Sequence, residues 1–355
     1  MKRNWIITGC ILLLALSIGS SPIAAQENIT LGLSQMLALA ISNNLEFKKA
    51  NYQLENTKLE IRKMEAENLL TESTVSNLQK EVTLLDQQNQ FQSEKDQLLI
   101  QVADNYFQLL MAEKDIESKK KNVELEEIVL KDVEKQVAAG YSIDLDLLQQ
   151  GNEYYDALFS CQESVLDYQQ QIIEIKDNLG IEHNRDIQLT PMHIPEFPEI
   201  SLDDAIKKAR ENSITLQSQS IGVNLAEKDM EKAKANELSE IEILKLENNL
   251  AIVQLEKSLS QQDLDYQVET QWLNYSQAKN DITLSQKNLE QMKENASMIQ
   301  RQVQAGLRTD EEALSAIIGV LDAESRLISS VRQVYQAYLE LQRLMGTLDE
   351  GVLKR

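Results

Sequence analysis

Gln136-Val137-Ala138-Ala139-Gly140-Tyr141 and Gln302-Val303-Gln304-Ala305-Gly306-Leu307 are one run met twice, 166 residues apart. A self-similar period that long decides the architecture before any single motif does. The same offset sets Gln101-Val102 on Gln267-Val268, Tyr106 on Trp272, and Asn178-Leu179-Gly180 on Leu344-Met345-Gly346. Nearer the start of each half the offset is 169: Leu31-Gly32-Leu33 falls on Ile200-Ser201-Leu202, Ala40 on Ala209 and Asn43 on Asn212. The chain is a tandem duplication, with residues 26–182 forming one unit and 200–355 the other. Residues 183–199 join them and hold Pro191, Pro195 and Pro198, which bias that stretch to extended backbone.

Working outward from the repeated run, each half reads as helix. No Gly or Pro interrupts Leu33 to Ala139 or Val223 to Ala305. Over all 355 residues there are only 11 Gly and 4 Pro, about a third of ordinary usage. Val102, Leu109, Ile116, Val123, Leu130 and Val137 recur every seventh residue, and the second half answers with Val268, Tyr275, Ile282, Leu289, Ala296 and Val303. Seven-residue spacing is the period of a coiled coil. The companion row three residues on is partly polar, as at Asn105, Lys119 and Glu126. So thin a seam fits helices laid side by side in a larger sheet or tube better than an isolated two-stranded rod. Gly140 and Gly306 then stand where a left-handed C-cap ends a helix, and Ser142 or Asp144, with Thr309 or Asp310, are the expected N-caps of the returning helix. The expected fold is all-α, two tandem hairpins of long antiparallel helices. A run of some 60 residues before Gly140 would be about 90 Å long.

Composition removes several function classes. With 35 Lys+Arg against 57 Asp+Glu the formal charge is −22, the wrong sign for a nucleic-acid binder. Two His and two Cys leave no disulfide framework and no metal set, so neither metal nor cofactor is expected. His183 and His193 read as loop residues, Cys161 as a small buried hydrophobe, and Tyr154, Tyr155, Tyr335 and Tyr338 as packing residues. No glycine-rich phosphate loop, nucleophile elbow or Cys/His pair is present, and no enzyme activity is expected. Lys2 and Arg3 precede an apolar run from Trp5 that ends in Ile23-Ala24-Ala25, so residues 1–25 read as a cleaved secretory signal and the chain as exported.

The duplicated features, taken in order, resemble the TolC-like outer-membrane efflux protein family over nearly the whole chain after Ala25. Each half has an Asn-led corner, at Asn43-Asn44 or Asn212-Ser213. Each then has an aromatic, Tyr106-Phe107 or Trp272, read as lying near the start of the long helix. Next come Ala-Gly, an acidic residue six after the Gly at Asp146 or Glu312, and a closing Leu-Gly or Met-Gly. The resemblance implies a homotrimer whose six hairpins form a periplasmic tunnel capped by an outer-membrane β-barrel. It also implies that the hairpin tips meet a periplasmic adaptor of an inner-membrane pump. The implied partner-binding residues are Ala139, Gly140, Tyr141, Ser142 and Asp146 at one tip, and Ala305, Gly306, Leu307, Arg308 and Glu312 at the other.

One departure is large. Family members place two membrane strands per half between the first helix and the long one. Here those intervals, residues 66–99 and 235–264, contain neither Gly nor Pro and none of the alternation of a membrane strand. The chain thus reads as the helical part of the family without its barrel, located in the periplasm or at the outer membrane, with a separate protein as the possible outer-membrane pore. The competing reading is a secreted coiled-coil scaffold of the cell envelope that transports nothing.

Overall fold

A computed structural model of the chain describes residues 29–67 and 74–349. The expected leader, residues 1–25, lies outside them, as does the connection at 68–73. The first repeat runs β1 (Ile29–Leu31), α1 (Leu33–Asn43), α2 (Leu45–Glu67), α3 (Thr74–Ala138) and α4 (Asp144–Leu179). After β2 (Ile187–Leu189) the second repeat gives α5 (Leu202–Asn212), α6 (Ile214–Ala235), α7 (Glu240–Gln304) and α8 (Asp310–Leu344). Helix makes up 85% of the described residues. Both α3 and α7 are 65 residues long, about 98 Å at helical rise.

These two helices form the backbone of the molecule. Helix α3 packs against α4 over its half that leads to Gly140 and against α2 over the other half, while α7 does the same with α8 and α6. The repeats join because α3 also packs on α8 and on α6. The helices therefore lie in the order α4, α3, α8, α7 in the half nearest Gly140 and α2, α3, α6, α7 in the other, a single layer whose edges are α4 with α2 on one side and α7 on the other.

The core sits where α1, α5, the 183–199 segment and the midpoints of α3 and α7 meet. Val102 and Leu109 are fully buried there, as are Val268 and Tyr275, while the later members of both heptad rows, Ile116 through Val137 and Leu289 through Val303, are only half buried. The aromatics once read as helix starts belong to this belt. Tyr106, Phe107 and Trp272 stand in the middle of α3 and α7, because both helices begin some thirty residues before them, at Thr74 and Glu240. Phe107, Phe197, Tyr275, Tyr335 and Tyr338 stack in one ring cluster, with Phe107 to Tyr335 at 4.9 Å and Phe197 to Tyr335 at 5.2 Å. Burial pushes the Tyr335 hydroxyl up to about 12.

The proline segment is tied down rather than merely extended. Ile187–Leu189 pairs in parallel with Ile29–Leu31. Tyr106 donates its hydroxyl to Thr190 O at 3.1 Å, Trp272 its indole N–H to Ile200 O at 2.7 Å, and Tyr275 its hydroxyl to Pro198 O at 2.7 Å. This small parallel pair was not expected. Three-residue strands carry too little alternation to register in a sequence, and their partner lies 158 positions away.

Among the described residues β1 and β2 are the only strands, and no barrel closes. Where a membrane hairpin would leave the second repeat, α6 turns into α7 through Asn236-Glu237-Leu238-Ser239. Leu238 N–H reaches back to Ala233 O at 3.2 Å, and Glu237 takes the left-handed conformation (φ 50°). Ser239 caps α7 reciprocally with Glu242, whose carboxylate is held below the ordinary range by the Ser239 hydroxyl and N–H. No described helix is long and apolar enough to cross a membrane.

Candidate functional site at the hairpin tips

The half of the layer farthest from the core ends in two corners of the same construction. At the first, Gly140 has φ 78°, Tyr141 N–H bonds Gln136 O at 2.8 Å and Gly140 N–H bonds Val137 O at 3.0 Å. At the second, Gly306 has φ 71°, Leu307 N–H bonds Gln302 O at 2.9 Å and Gly306 N–H bonds Val303 O at 2.9 Å. This is the paired closure of a helix by a left-handed residue, and a side chain at either Gly would be forced into a region that L-residues avoid. The residue after each Gly is thrown outward: Tyr141 is 86% exposed and Leu307 75%. Ala139 and Ala305 are exposed beside them.

The acidic residue six after each Gly holds the returning helix. Asp146 Oδ2 accepts from Ile143 N–H at 3.0 Å and from the Ser142 hydroxyl at 2.5 Å. Glu312 accepts from Thr309 N–H at 3.0 Å and from the Arg308 guanidinium, while Thr309 Oγ1 accepts from Glu312 N–H at 3.3 Å. Hydrogen bonds to the charged form depress both acids, chiefly the Ser142 hydroxyl at Asp146 and the Thr309 N–H at Glu312. Thr309 is the expected N-cap. At the first tip neither Ser142 nor Asp144 takes that role: Ile143 occupies the N-cap position, Asp144 is the first helical residue, and Ser142 serves Asp146 instead. Ile143 has no side-chain acceptor for the N–H groups of the first turn, so only the other half of the cap forms, with Asp146 at the third helical position accepting the N–H of Ile143 itself.

All ten expected tip residues thus lie at two corners at one end of the layer, five on each hairpin. Beside the second corner runs an open groove between α3, α7 and α8, walled by Leu125, Val129, Asn295 and Ile299 and reaching Arg308 and Glu312. Leu125, Val129 and Asn295 were missed in the sequence, since the groove exists only because the repeats pack together. Elsewhere the expectations divide. Tyr335 and Tyr338 pack as expected, but Tyr155 is 56% exposed, and Cys161 is a free, half-exposed thiol on the outer helix α4 rather than a buried hydrophobe. His183 Nε2 lies 3.5 Å from Asp177 Oδ1 at an exposed site, and among the described residues no group of three His, Cys, Asp or Glu stands ready for a metal.

No protein-family model matches the sequence, and no curated protein does. Solved structures do match the fold. The CmeC outer membrane channel of Campylobacter jejuni superposes with a TM-score of 0.63 at 10% identity, over 91% of this chain and 88% of that one. This is the helical fold of the TolC-like outer-membrane channels. A membrane protein from Pseudomonas aeruginosa gives 0.63 at 12% identity, over 90% of this chain and 91% of that one. The outer membrane protein VceC of Vibrio cholerae gives 0.60 at 10% identity, over 88% and 96%. The TolC-like fold is therefore present here from β1 to the end of α8, with the helices meeting in a tight corner at Asn236–Ser239.

Proposed function

We propose that this chain is a TolC-like component of a cell-envelope efflux or secretion system: an exported protein whose copies close into a periplasmic helical conduit and dock a periplasmic adaptor through the hairpin tips. One observation carries the reading. Two hairpins end side by side in corners closed by a left-handed Gly that push Tyr141 and Leu307 into solvent, on a fold met in outer membrane channels. The assembly is a homotrimer by the same likeness, its adaptor belongs to an inner-membrane pump, and no catalytic step is involved. A separate protein is the possible outer-membrane pore of this assembly.

Electron microscopy of the purified oligomer tests the conduit, which predicts an open axial lumen in end views. A filled bundle would instead favour the scaffold reading, which the tight α6–α7 corner in place of membrane strands supports.

A further inference from the structure

At one level of the layer α3 exchanges partners: α8 ends at Leu344, α6 begins at Ile214, and a cavity of about 370 Å³ is left between them. Ile214 and Leu216 of α6, Leu264 of α7 and Leu344 of α8 make its apolar wall, and α3 supplies Asp96. The two repeats are thus joined around this space.

Asp96 is out of place in such a wall. It is 4% exposed, yet only one of its carboxylate oxygens is satisfied: Oδ1 accepts from Gln92 at 2.7 Å. Among the described residues nothing donates to Oδ2, and no Lys or Arg forms an ion pair with the group. Arg343, the basic residue of the wall, is engaged with Glu340 at 2.6 Å. The charged groups that face Asp96 are Lys95 on its own helix, Arg343 and Glu340 on α8, and Asp263 on α7, while α2, α5 and α6 bring no charge to the cavity. Those two positive and two negative groups cancel, which leaves the Asp96 charge uncompensated. Burial pushes its carboxyl up to about 6, so at neutral pH it is ionised at a cost in stability. A buried charge held without a partner beside an open cavity marks a place where a ligand supplies the partner. The helix itself does not need the acid: the counterpart of Asp96, 166 residues on, is Gln262, neutral and exposed.

We infer that this cavity binds a primary alkylammonium ion, with the nitrogen on Asp96 and the alkyl chain along Ile214, Leu216 and Leu264. An ammonium head has three N–H donors, and the wall offers Asp96 Oδ2 together with the side-chain oxygens of Asn89 and Ser260 as acceptors. A single positive charge matches the one negative charge in excess. A divalent metal suits the wall poorly, since it asks for several oxygen ligands where this wall is half apolar. The bound ion braces α3, α6, α7 and α8 where the repeats meet. The site lies some 44 residues along α3 from Gly140 and goes beyond the adaptor docking and conduit proposed above, on neither of which it depends.

Isothermal titration of the purified full chain with n-butylammonium chloride at pH 8 and constant ionic strength tests the site. The expected result is saturable binding of one ion per chain, with butan-1-ol, the same shape without the charge, about tenfold weaker or worse. Asp96→Asn removes a buried charge and should stay folded while binding about tenfold less tightly or worse. Thr215→Phe, a substitution at an exposed position of the rim that leaves Asp96 in place, should block entry and lower affinity to a similar degree. Circular dichroism of both variants confirms the fold. At pH 5 about nine-tenths of Asp96 is protonated, so the unaltered chain should bind about tenfold more weakly than at pH 8. Affinity unchanged in Asp96→Asn, or unchanged at pH 5, overturns the site and assigns the binding to the acidic surface at large. Affinity unchanged in Thr215→Phe places the binding outside this cavity, equal binding of butan-1-ol removes the role of the charge, and no saturable binding at millimolar concentrations removes the site; each overturns the inference and leaves the conduit standing.

Discussion

Asn43 Nδ2 donates to Leu179 O at 2.9 Å across 136 residues, and its counterpart Asn212 Nδ2 donates to Met345 O at 2.9 Å across 133. Each pair ties the end of a short helix to the closing corner of its own repeat, where Gly180 and Gly346 both take φ 63°. The fit is tight. A Cβ on Gly180 would stand 2.9 Å from Asn43 Cβ, and one on Gly346 would stand 2.7 Å from Asn212 Cβ. At Gly140 and Gly306 a Cβ meets nothing within 4 Å. Gly346→Ala should therefore cost on the order of 2–4 kcal/mol, combining left-handed strain with a clash, against about 1 kcal/mol for Gly306→Ala, strain alone. Equilibrium denaturation of the two variants checks the order. Equal losses would mean that the corner yields, and a triple comparison with Asn212→Gly should recover part of the Gly346→Ala loss.

Asp96 predicts a pH dependence. It is 4% exposed in the half of α3 facing α6, takes a 2.7 Å hydrogen bond from Gln92, and is pushed up to about 6 chiefly by burial, despite that bond and the nearby Arg343. An acid raised in the fold binds more protons folded than unfolded, so stability falls as pH climbs from about 4 to about 6 and stays reduced above. Asp96→Asn keeps the Gln92 contact and removes the charge. It should raise stability at pH 8 by on the order of 1–3 kcal/mol and flatten that stretch of the pH profile. Thermal melts between pH 4 and 8 decide it, and an unchanged profile would reject the assignment.

The inter-repeat joint depends on a partly buried charge. Asp104 accepts from Arg332 at 2.5 and 3.0 Å, from Gln336, and from Gln108 at 2.6 Å. Asp104→Ala should cost about 2–4 kcal/mol because it strands the guanidinium. A double substitution of Asp104 and Arg332 by Leu should recover most of the loss, since an apolar pair of similar volume leaves no charge stranded. Denaturation of the single and double variants measures the coupling, and additive losses would contradict it.

Acid should loosen the tips. Asp146 and Glu312 are depressed below their ordinary 3.8 and 4.5, so their support is complete above those values and fades as pH falls through the lower folded ones. Hydrogen-exchange protection at the corners, taken relative to the unstructured rate at each pH, should fall in strong acid, and Asp146→Asn and Glu312→Gln should show the lowered protection already at pH 7.

Tyr141→Ala, Leu307→Ala and Arg308→Ala should leave the melting temperature within about 1 °C, since exposed substitutions cost little, while weakening capture of the periplasmic adaptor. Capture unaltered in all three would make the corners plain turns.

The sequence by itself determined what is periodic and local. The repeat at 166 residues, the seven-residue rows, the Gly corners and the Asn and Leu-Gly pairs were all legible, because helix period and left-handed caps act within a few residues. It marked the two Gly corners without reference to any contact, while the partner-facing role of the ten residues around them came from the resemblance alone. Tertiary structure alone decided what depends on distant partners: the Asp104–Arg332 joint, the β1–β2 pairing, the burial that lifts Asp96, and the mid-helix position of Phe107 and Trp272. Above all it decided which faces stay open. Leu166 on α4 and Leu273 on α7 are exposed, and only the order α4, α3, α8, α7 makes their helices the edges, because a layer has two sides that its own chain cannot cover.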